Sequence, residues 1–296
     1  MSEKEQPQRK WVTDMLDRSE VGKRGYLNEE FRLFHLKDSR AQKLDYHYHE
    51  FDKLIFFLSG KVTYMVEGVT YFLQPWDVLL VSHHLIHKPV IDPSDPYERV
   101  VLYLDPGFIR SHSTKDADLS ACFRLARRRQ FALMRAEGEE RERLKTLLVE
   151  LERAVADKGF GCELLARTRF LQLLIHLNRA MDRDHTDRDE RASRHDPKIE
   201  RALSYINEHL SEDLSVDALA GQVYISKYHF MRRFKELTGY SVHQYITQKR
   251  LLAAARLLRS GISAQNACAR CGFQDYSAFQ RAFRRQFGMT PRDFLK

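Results

Sequence analysis

Long apolar runs are missing from this 296-residue chain. No stretch approaches the ~18 consecutive apolar residues that a membrane-spanning helix needs. The opening MSEKEQPQRKW carries charges but no apolar segment, so a secretory signal is not expected. Cysteine is scarce as well, with four in the chain, too few to read as a disulfide framework. These absences exclude the membrane-helix and disulfide-scaffold classes and leave the cytoplasm as the expected location. What is present is globular: 43% hydrophobic and 30% charged residues, in a length that suits two domains with separate cores.

The net charge of +8 is unevenly spread. From Asp196 to Lys296 there are five Lys and eleven Arg against five Asp and four Glu, so this last third carries nearly all of the excess. A basic module joined to a nearly neutral remainder suggests a polyanion reader attached to something else. An Arg-rich but merely solvated surface is the competing reading at this point.

Residues 28–105 read as strands. Runs such as KLIFFLS, KVTYMVEG, VTYFLQP and ERVVLYLD are β-branched and aromatic, broken at Ser59-Gly60, Glu67-Gly68 and Pro75. Glu67-Gly68 is a hairpin signal, and short strands at this spacing imply an antiparallel sandwich or barrel. After Pro106 the period becomes helical. Over 139–157 Leu144, Leu147, Leu148, Leu151 and Val155 share a face, and 163–181 forms a second amphipathic helix. The leucine faces are expected to mediate a homodimer, with an intrachain core as the alternative. The polar stretch 182–197 reads as a linker.

The last hundred residues hold an internal repeat. At an offset of 49, FMRRFKELTGYSVHQYI from Phe230 aligns with FQRAFRRQFGMTPRDFL from Phe279. The offset pairs Arg232 with Arg281, Phe234 with Phe283, Gly239 with Gly288, Ser241 with Thr290 and Tyr245 with Phe294. Upstream it pairs Ala218 with Ala267 and Ser226 with Asp275. In the first unit Val216, Leu219 and Ala220 mark a short buried-face helix. Ser226 is placed to cap a second helix that buries Phe230, Phe234 and Leu237 and ends at Gly239. In the second unit Asp275 is the cap and Phe279, Phe283 and Phe287 face inward. A short helix, a turn and a second helix exposing Arg and polar side chains is a helix-turn-helix. One continuous helix from VHQYI to RSG separates the units.

These residues carry a resemblance. ISKYHFMRRFKELTGYSVHQYITQKRLLAAARLL, with GFQDYSAFQRAFRRQFGMTPRDF after it, resembles the DNA-binding domain of the AraC family of transcription regulators. The resemblance implies base-facing positions for Tyr228, Met231 and Arg232 in the first unit and for Tyr276, Ser277 and Arg281 in the second. Gln280 belongs to the same outward face, and Lys227, Lys235, Arg284 and Arg285 are better placed for phosphates. Arg pairs bidentately with guanine, which singles out Arg232 and Arg281.

The other motif is DYHYHEFDKL at 45–54. In an extended chain His47 and His49 point to one face, as in many metal sites. Residues 45–90 resemble a cupin core, the sensory domain that often precedes AraC-type DNA readers. Metal-binding cupins use His-x-His, a glutamate a few residues on and a later histidine. Here His47, His49 and His87 match, but the glutamate position holds Lys53, a cation that would repel a metal. The expectation is therefore a metal-free effector pocket lined by His47, His49, Lys53 and His87, with Phe56, Tyr64 and Trp76 as apolar neighbours. A three-His metal site joined by His83 or His84, or a purely structural role, are the alternatives. Cys268 and Cys271 form a CxxC inside a helix, expected as buried thiols rather than as a zinc or redox motif. RLARRRQ at 124–130 is expected as a solvated charge run.

The whole reading is an α+β chain: a cupin-like antiparallel β-barrel over 25–110, a helical dimerisation segment over 120–182, a linker over 183–196 and an all-α domain with two helix-turn-helix units over 197–296. The expected partners are promoter or operator DNA, a small effector such as a sugar or small acid, a second copy of the chain and RNA polymerase. No cofactor and no membrane partner are expected. A cupin-type metal enzyme with a helical nucleic-acid-binding appendage is the rival function, and an architectural DNA-binding protein is the third.

Overall fold

The computed structural model describes residues 27, 29–38, 46–129, 131–183, 193–194 and 196–295. Most of the linker expected over 183–196 lies outside the described residues. The chain divides into two compact units, one running to Ser193 and the other from Arg194, the turn residues Glu67–Val69 excepted.

Among the described residues, the first unit contains the strands β1 (Phe31–Asp38), β2 (Asp52–Ser59), β3 (Lys61–Val66), β4 (Val69–Phe72), β5 (Asp77–Val81), β6 (His87–Asp92), β7 (Tyr97–Leu104) and β8 (Leu133–Arg135). They form two sheets rather than one closed barrel. The larger runs β1-β7-β2-β5-β8, with antiparallel pairing at each junction. The other contains β6, β3 and β4 in that order, and His47 extends it through a bridge to His87.

The inner strands of the larger sheet are buried on both faces, and period-two alternation decides what each face meets. Leu54 and Phe56 of β2, Val78 and Leu80 of β5, and Val100, Leu102 and Leu104 of β7 join one apolar core. That core also contains residues of four helices, α1 (Pro106–Ser111), α2 (Ala121–Arg129), α3 (Gly138–Ala156) and α4 (Cys162–Arg183). The intervening residues, Lys53, Ile55 and Phe57 with their β7 partners Tyr103, Val101 and Arg99, face the smaller sheet.

The leucine faces of α3 and α4 therefore have an owner within the chain. Leu144, Leu147, Leu148 and Leu151, with Phe170, Leu173, Leu174 and Leu177, are all buried against the sheet. This corrects the expectation that they form a dimer seam: a β-sheet face needs an apolar cover, and these helices supply it. Val155, expected on the same face, is exposed, as are Val149, Leu164, Leu165 and Ile175. Helix α2 buries Cys122, Phe123 and Ala126; of the 124–130 run it exposes Arg124, Arg127 and Arg128, while Gln130 lies outside the described residues.

The second unit is all-α: α5 (Pro197–Glu208), α6 (Val216–Gln222), α7 (Lys227–Thr238), α8 (Val242–Arg259), α9 (Ala264–Arg270) and α10 (Tyr276–Phe287), then a 3-10 turn at Asp293–Leu295. The duplication is visible, with one adjustment. Helices α7 and α10 keep the offset of 49, but α6 and α9 start at Val216 and Ala264, an offset of 48. Ala267 thus corresponds to buried Leu219, not to Ala218, and one extra residue lies in the second turn. Both turns hold a left-handed residue, Tyr224 at φ 54° and Gly272 at φ 79°. Only glycine fits the second: a Cβ there would sit 2.4 Å from the Leu210 carbonyl oxygen. Cys268 and Cys271 are both buried, and burial pushes both thiols up, Cys271 to about 11. Among the described residues, no helix is long and apolar enough to cross a membrane.

Candidate functional sites: a basic helical face and a buried polar cluster

The basic face starts from local capping. The Ser226 hydroxyl accepts from the His229 amide at the start of α7, and the Asp275 carboxylate accepts from the Ser277 amide at the start of α10. Both helices end on a left-handed glycine, Gly239 at φ 75° and Gly288 at φ 73°. Phe230 and Phe234 fix the inner face of α7, and Phe279, Phe283 and Phe287 fix that of α10. Leu237, expected inward, is only half-buried. With the inner faces set by rings, helical period turns the other residues outward. All eleven expected contact residues, Lys227, Tyr228, Met231, Arg232, Lys235, Tyr276, Ser277, Gln280, Arg281, Arg284 and Arg285, are exposed.

Charge pairing separates the cations on these helices. Arg233 is tied to Asp196 at 3.0 Å and Glu236 at 3.2 Å, Lys227 to Asp217 at 2.7 Å, and Arg232 lies a loose 3.9 Å from Glu236. Among the described residues, Lys235, Arg281, Arg284 and Arg285 have no carboxylate partner. Four cations without counter-charge on two outward helix faces leave strong binding capacity for a polyanion.

The second site lies between the sheets of the first unit. His47 and His87 are brought together by backbone hydrogen bonds, His47 amide to His87 carbonyl at 3.0 Å and the reverse at 2.9 Å. Their ring centroids are 4.3 Å apart, and His49 lies about as close to both, at 5.1 and 5.0 Å. Lys53 reaches across from β2: its Nζ is 2.8 Å from His49 Nε2 and 3.4 Å from His87 Nε2. The four residues expected from the sequence thus converge. The His87 Nδ1 lies 2.9 Å from the Leu85 carbonyl and donates to it, leaving Nε2 as an acceptor toward Lys53.

Burial dominates the electrostatics. It pushes the Lys53 ammonium down to about 7, with the Arg99 charge adding to the effect. It also holds His49 and His87 well below the usual imidazole range, with the Lys53 charge as the second cause. Among the described residues, no carboxylate pairs with Lys53.

Ligand-capable nitrogens of His47, His49 and His87 lie within 4.8 Å of one another, so the arrangement has the outline of a cation site. The residues present do not fit a divalent ion: Lys53 Nζ already takes the lone pairs of His49 and His87, and no carboxylate among the described residues joins the group. His83 and His84 do not join either, because His83 pairs with Asp52 at 2.7 Å and His84 with Glu50 at 3.0 Å.

Of the expected apolar neighbours only Tyr64 belongs here, 6.1 Å from the His87 ring. Phe56 lies in the helix-facing core and Trp76 packs against it, so both are on the opposite face of the sheet. The reason is parity: Phe56 is an odd number of residues from Lys53 on the same strand. Sequence reasoning missed Tyr97, Arg99 and Tyr103. Tyr103 pairs in register with Lys53, and Lys53 Nζ lies 5.3 Å from its ring, while Arg99 stacks 4.1 Å over Tyr97. Their signal is strand register, which a single sequence does not display.

Comparison with known proteins matches both modules. A family model described as an AraC-like ligand binding domain matches residues 34–174, and one described as a helix-turn-helix domain matches residues 219–296. The HTH-type transcriptional activator RhaS of Salmonella schwarzengrund is 34% identical over 125 residues, covering 42% of this chain and 43% of that protein. The regulatory protein PocR of Salmonella typhimurium is 35% identical over 101 residues, covering 34% of this chain and 33% of its own. The matches therefore span less than half the length of these two relatives. Among solved structures, the DNA-binding domain of AdpA in complex with a target DNA is 37% identical, covers 34% of this chain and 90% of that one, and has a TM-score of 0.33. ToxT from Vibrio cholerae is 15% identical, covering 90% of this chain and 98% of its own with a TM-score of 0.34. With a ligand-binding module over 34–174 and a helix-turn-helix module over 219–296, the chain belongs to the AraC family of transcription regulators.

Proposed function

We propose that this protein is a cytoplasmic, sequence-specific DNA-binding regulator whose two-sheet domain binds a small effector, and that α7 and α10 read successive major grooves. The observation that carries the reading is the pair of capped helices with Lys235, Arg281, Arg284 and Arg285 outward and without counter-charge. Arg232 and Arg281 take the base-reading role, Tyr228, Met231, Tyr276, Ser277 and Gln280 line the same edge, and Lys227, Lys235, Arg284 and Arg285 hold phosphates. The relatives named as activators favour activation, with RNA polymerase as the partner at the promoter. A cupin-type metal enzyme is disfavoured because Lys53 Nζ stands among the imidazoles where an ion would bind.

A homodimer is part of the same proposal, now on the outer face of the α3–α4 hairpin. Val149, Leu164, Leu165 and Ile175 are exposed there, and a second copy doubles the number of half-sites engaged. The test is selection of bound fragments from genomic DNA by the purified full chain, followed by footprinting. The expected result is a shared motif with two protected major-groove segments about one helical turn, ~34 Å, apart per chain. Salt-sensitive binding with no shared motif would remove the sequence-specific reading.

A further inference from the structure

The space between the sheets holds more unmatched polarity than the four expected residues account for. Tyr64 and Tyr97 are 4% and 2% exposed, and Tyr103 is largely buried. None of their hydroxyls has a hydrogen-bond partner among the described residues. Tyr103 pairs in register with Lys53, Tyr64 lies 6.1 Å from the His87 ring and Tyr97 lies under the Arg99 guanidinium; burial pushes the Tyr64 hydroxyl up, with Tyr97 and Tyr103 adding and the Arg99 charge opposing. His49 adds a buried Nδ1 with no partner, while its Nε2 is held by Lys53. Buried polar groups in a folded protein are nearly always paired, and an unpaired one is destabilising. Here the His49 Nδ1 is such a group, and beside it stand three phenols without a protein partner and a buried ammonium that no carboxylate pairs with among the described residues.

Three kinds of occupant can be weighed against that wall. Water or a neutral polyol would satisfy hydroxyls and Nδ1 but leave the ammonium without a counter-charge. A metal cation would add charge of the sign already in excess. An anion that also carries hydroxyl groups satisfies both kinds of group. Resting on the effector-binding reading above, we infer that this site takes a small hydroxylated carboxylate, a hydroxy acid or sugar acid, with its carboxylate on Lys53 and its hydroxyls on Tyr64, Tyr97 and Tyr103. Arg99 does not compete for the carboxylate, because its guanidinium is held by Asp38 and stacked on Tyr97. The carboxylate oxygens accept from Lys53, and the ligand hydroxyls exchange hydrogen bonds with the phenols.

The experiment uses the full chain and matched probes: D-glucuronate and D-gluconate against D-glucose, glycerate against glycerol, and zinc(II) alone. Thermal unfolding is recorded with each, and any hit is titrated by calorimetry in two buffers of different ionisation enthalpy. The expected result is stabilisation by at least one acid and none by its neutral counterpart at the same concentration. Binding of that acid takes up protons near neutral pH, because an anion beside Lys53 favours the ammonium. Lys53→Met abolishes the stabilisation, and Tyr97→Phe weakens affinity about tenfold, the equivalent of one hydrogen bond of ~1.4 kcal/mol. Circular dichroism of each variant establishes that it is folded.

Stabilisation by glucose or glycerol that survives Lys53→Met overturns the acid class while leaving the effector-binding reading in place. Stoichiometric stabilisation by zinc(II) with proton release, and none by the acids, replaces the inference with a metal site. If no probe stabilises the protein while footprinting still finds a sequence-specific operator, the inference fails and the regulator stands.

Discussion

Replacing Lys53 by methionine should make the first unit more stable at neutral pH and remove a specific pH dependence. In the unfolded chain the ammonium has the ordinary value of 10.5, and in the folded protein burial brings it to about 7. Between those values the unfolded state binds more protons, so stability rises with pH and the wild type is penalised most below pH 7. Each tenfold change in proton affinity corresponds to about 1.4 kcal/mol, which places the whole penalty at a few kcal/mol. Within the accessible window, going from pH 7 to pH 9 should stabilise the wild type by about 2 kcal/mol through this group alone. Lys53→Met keeps an unbranched side chain only one atom shorter and loses the charge, so it should lack that increment. The absolute gain at pH 7 is smaller than the full penalty, because the contacts with His49 and His87 are also lost. The change with pH is therefore the cleaner quantity. Urea unfolding followed by Trp76 fluorescence in a Trp11→Phe background, at pH 7, 8 and 9, measures it for both proteins. A Lys53→Met variant with the same pH dependence as its parent would show that Lys53 is solvated or paired, and the charge argument for the site would collapse.

Other substitutions probe other parts of the molecule. Arg232→Ala and Arg281→Ala should each cost about 1–3 kcal/mol on the selected operator and relax discrimination at one base pair, whereas Lys235→Ala should weaken all sequences alike. Equal losses on operator and random DNA for both Arg variants, measured by fluorescence anisotropy, would reassign the base-reading face. Leu147→Arg with Leu151→Arg should unfold the first unit, since two uncompensated charges in that core exceed ~4 kcal/mol; a folded double variant by circular dichroism would refute the core assignment. Val149→Glu with Ile175→Glu should instead give a folded monomer in sedimentation velocity, and an unchanged dimer would place the interface elsewhere. Gly272→Ala should destabilise the second unit by at least about 2 kcal/mol, because it combines left-handed backbone with a contact at the Leu210 carbonyl. A chemical-denaturation curve unchanged from wild type would mean that the turn relaxes.

The duplicated helix-turn-helix was legible before any coordinates, because every feature that builds it is local. Caps at Ser226 and Asp275, glycines at 239 and 288 and phenylalanines at four-residue spacing state both the helices and their outward faces. The convergence of His47, His49, Lys53 and His87 was legible too, through a motif whose resemblance to the cupin core carries the long-range pairing. Local spacing could not decide the length of the second turn, and the offset of 48 between α6 and α9 emerged only when their N-caps, Ser215 and Ser263, were located.

What the sequence by itself determined is thus the periodic and the nearest-neighbour: two modules, their basic and neutral charge, the reading helices and the His-x-His motif, which sits ahead of β2 rather than on a strand. What only the tertiary structure decided is the fate of faces that could pack in more than one way. An amphipathic helix states that it must bury a leucine stripe but not against what, and the larger sheet claimed the stripes of α3 and α4 ahead of any second chain. Strand pairing decided the rest. Register set Tyr103 beside Lys53, and alternation sent Phe56 to the helix side, because cross-strand neighbours are fixed by hydrogen bonds between segments about fifty residues apart.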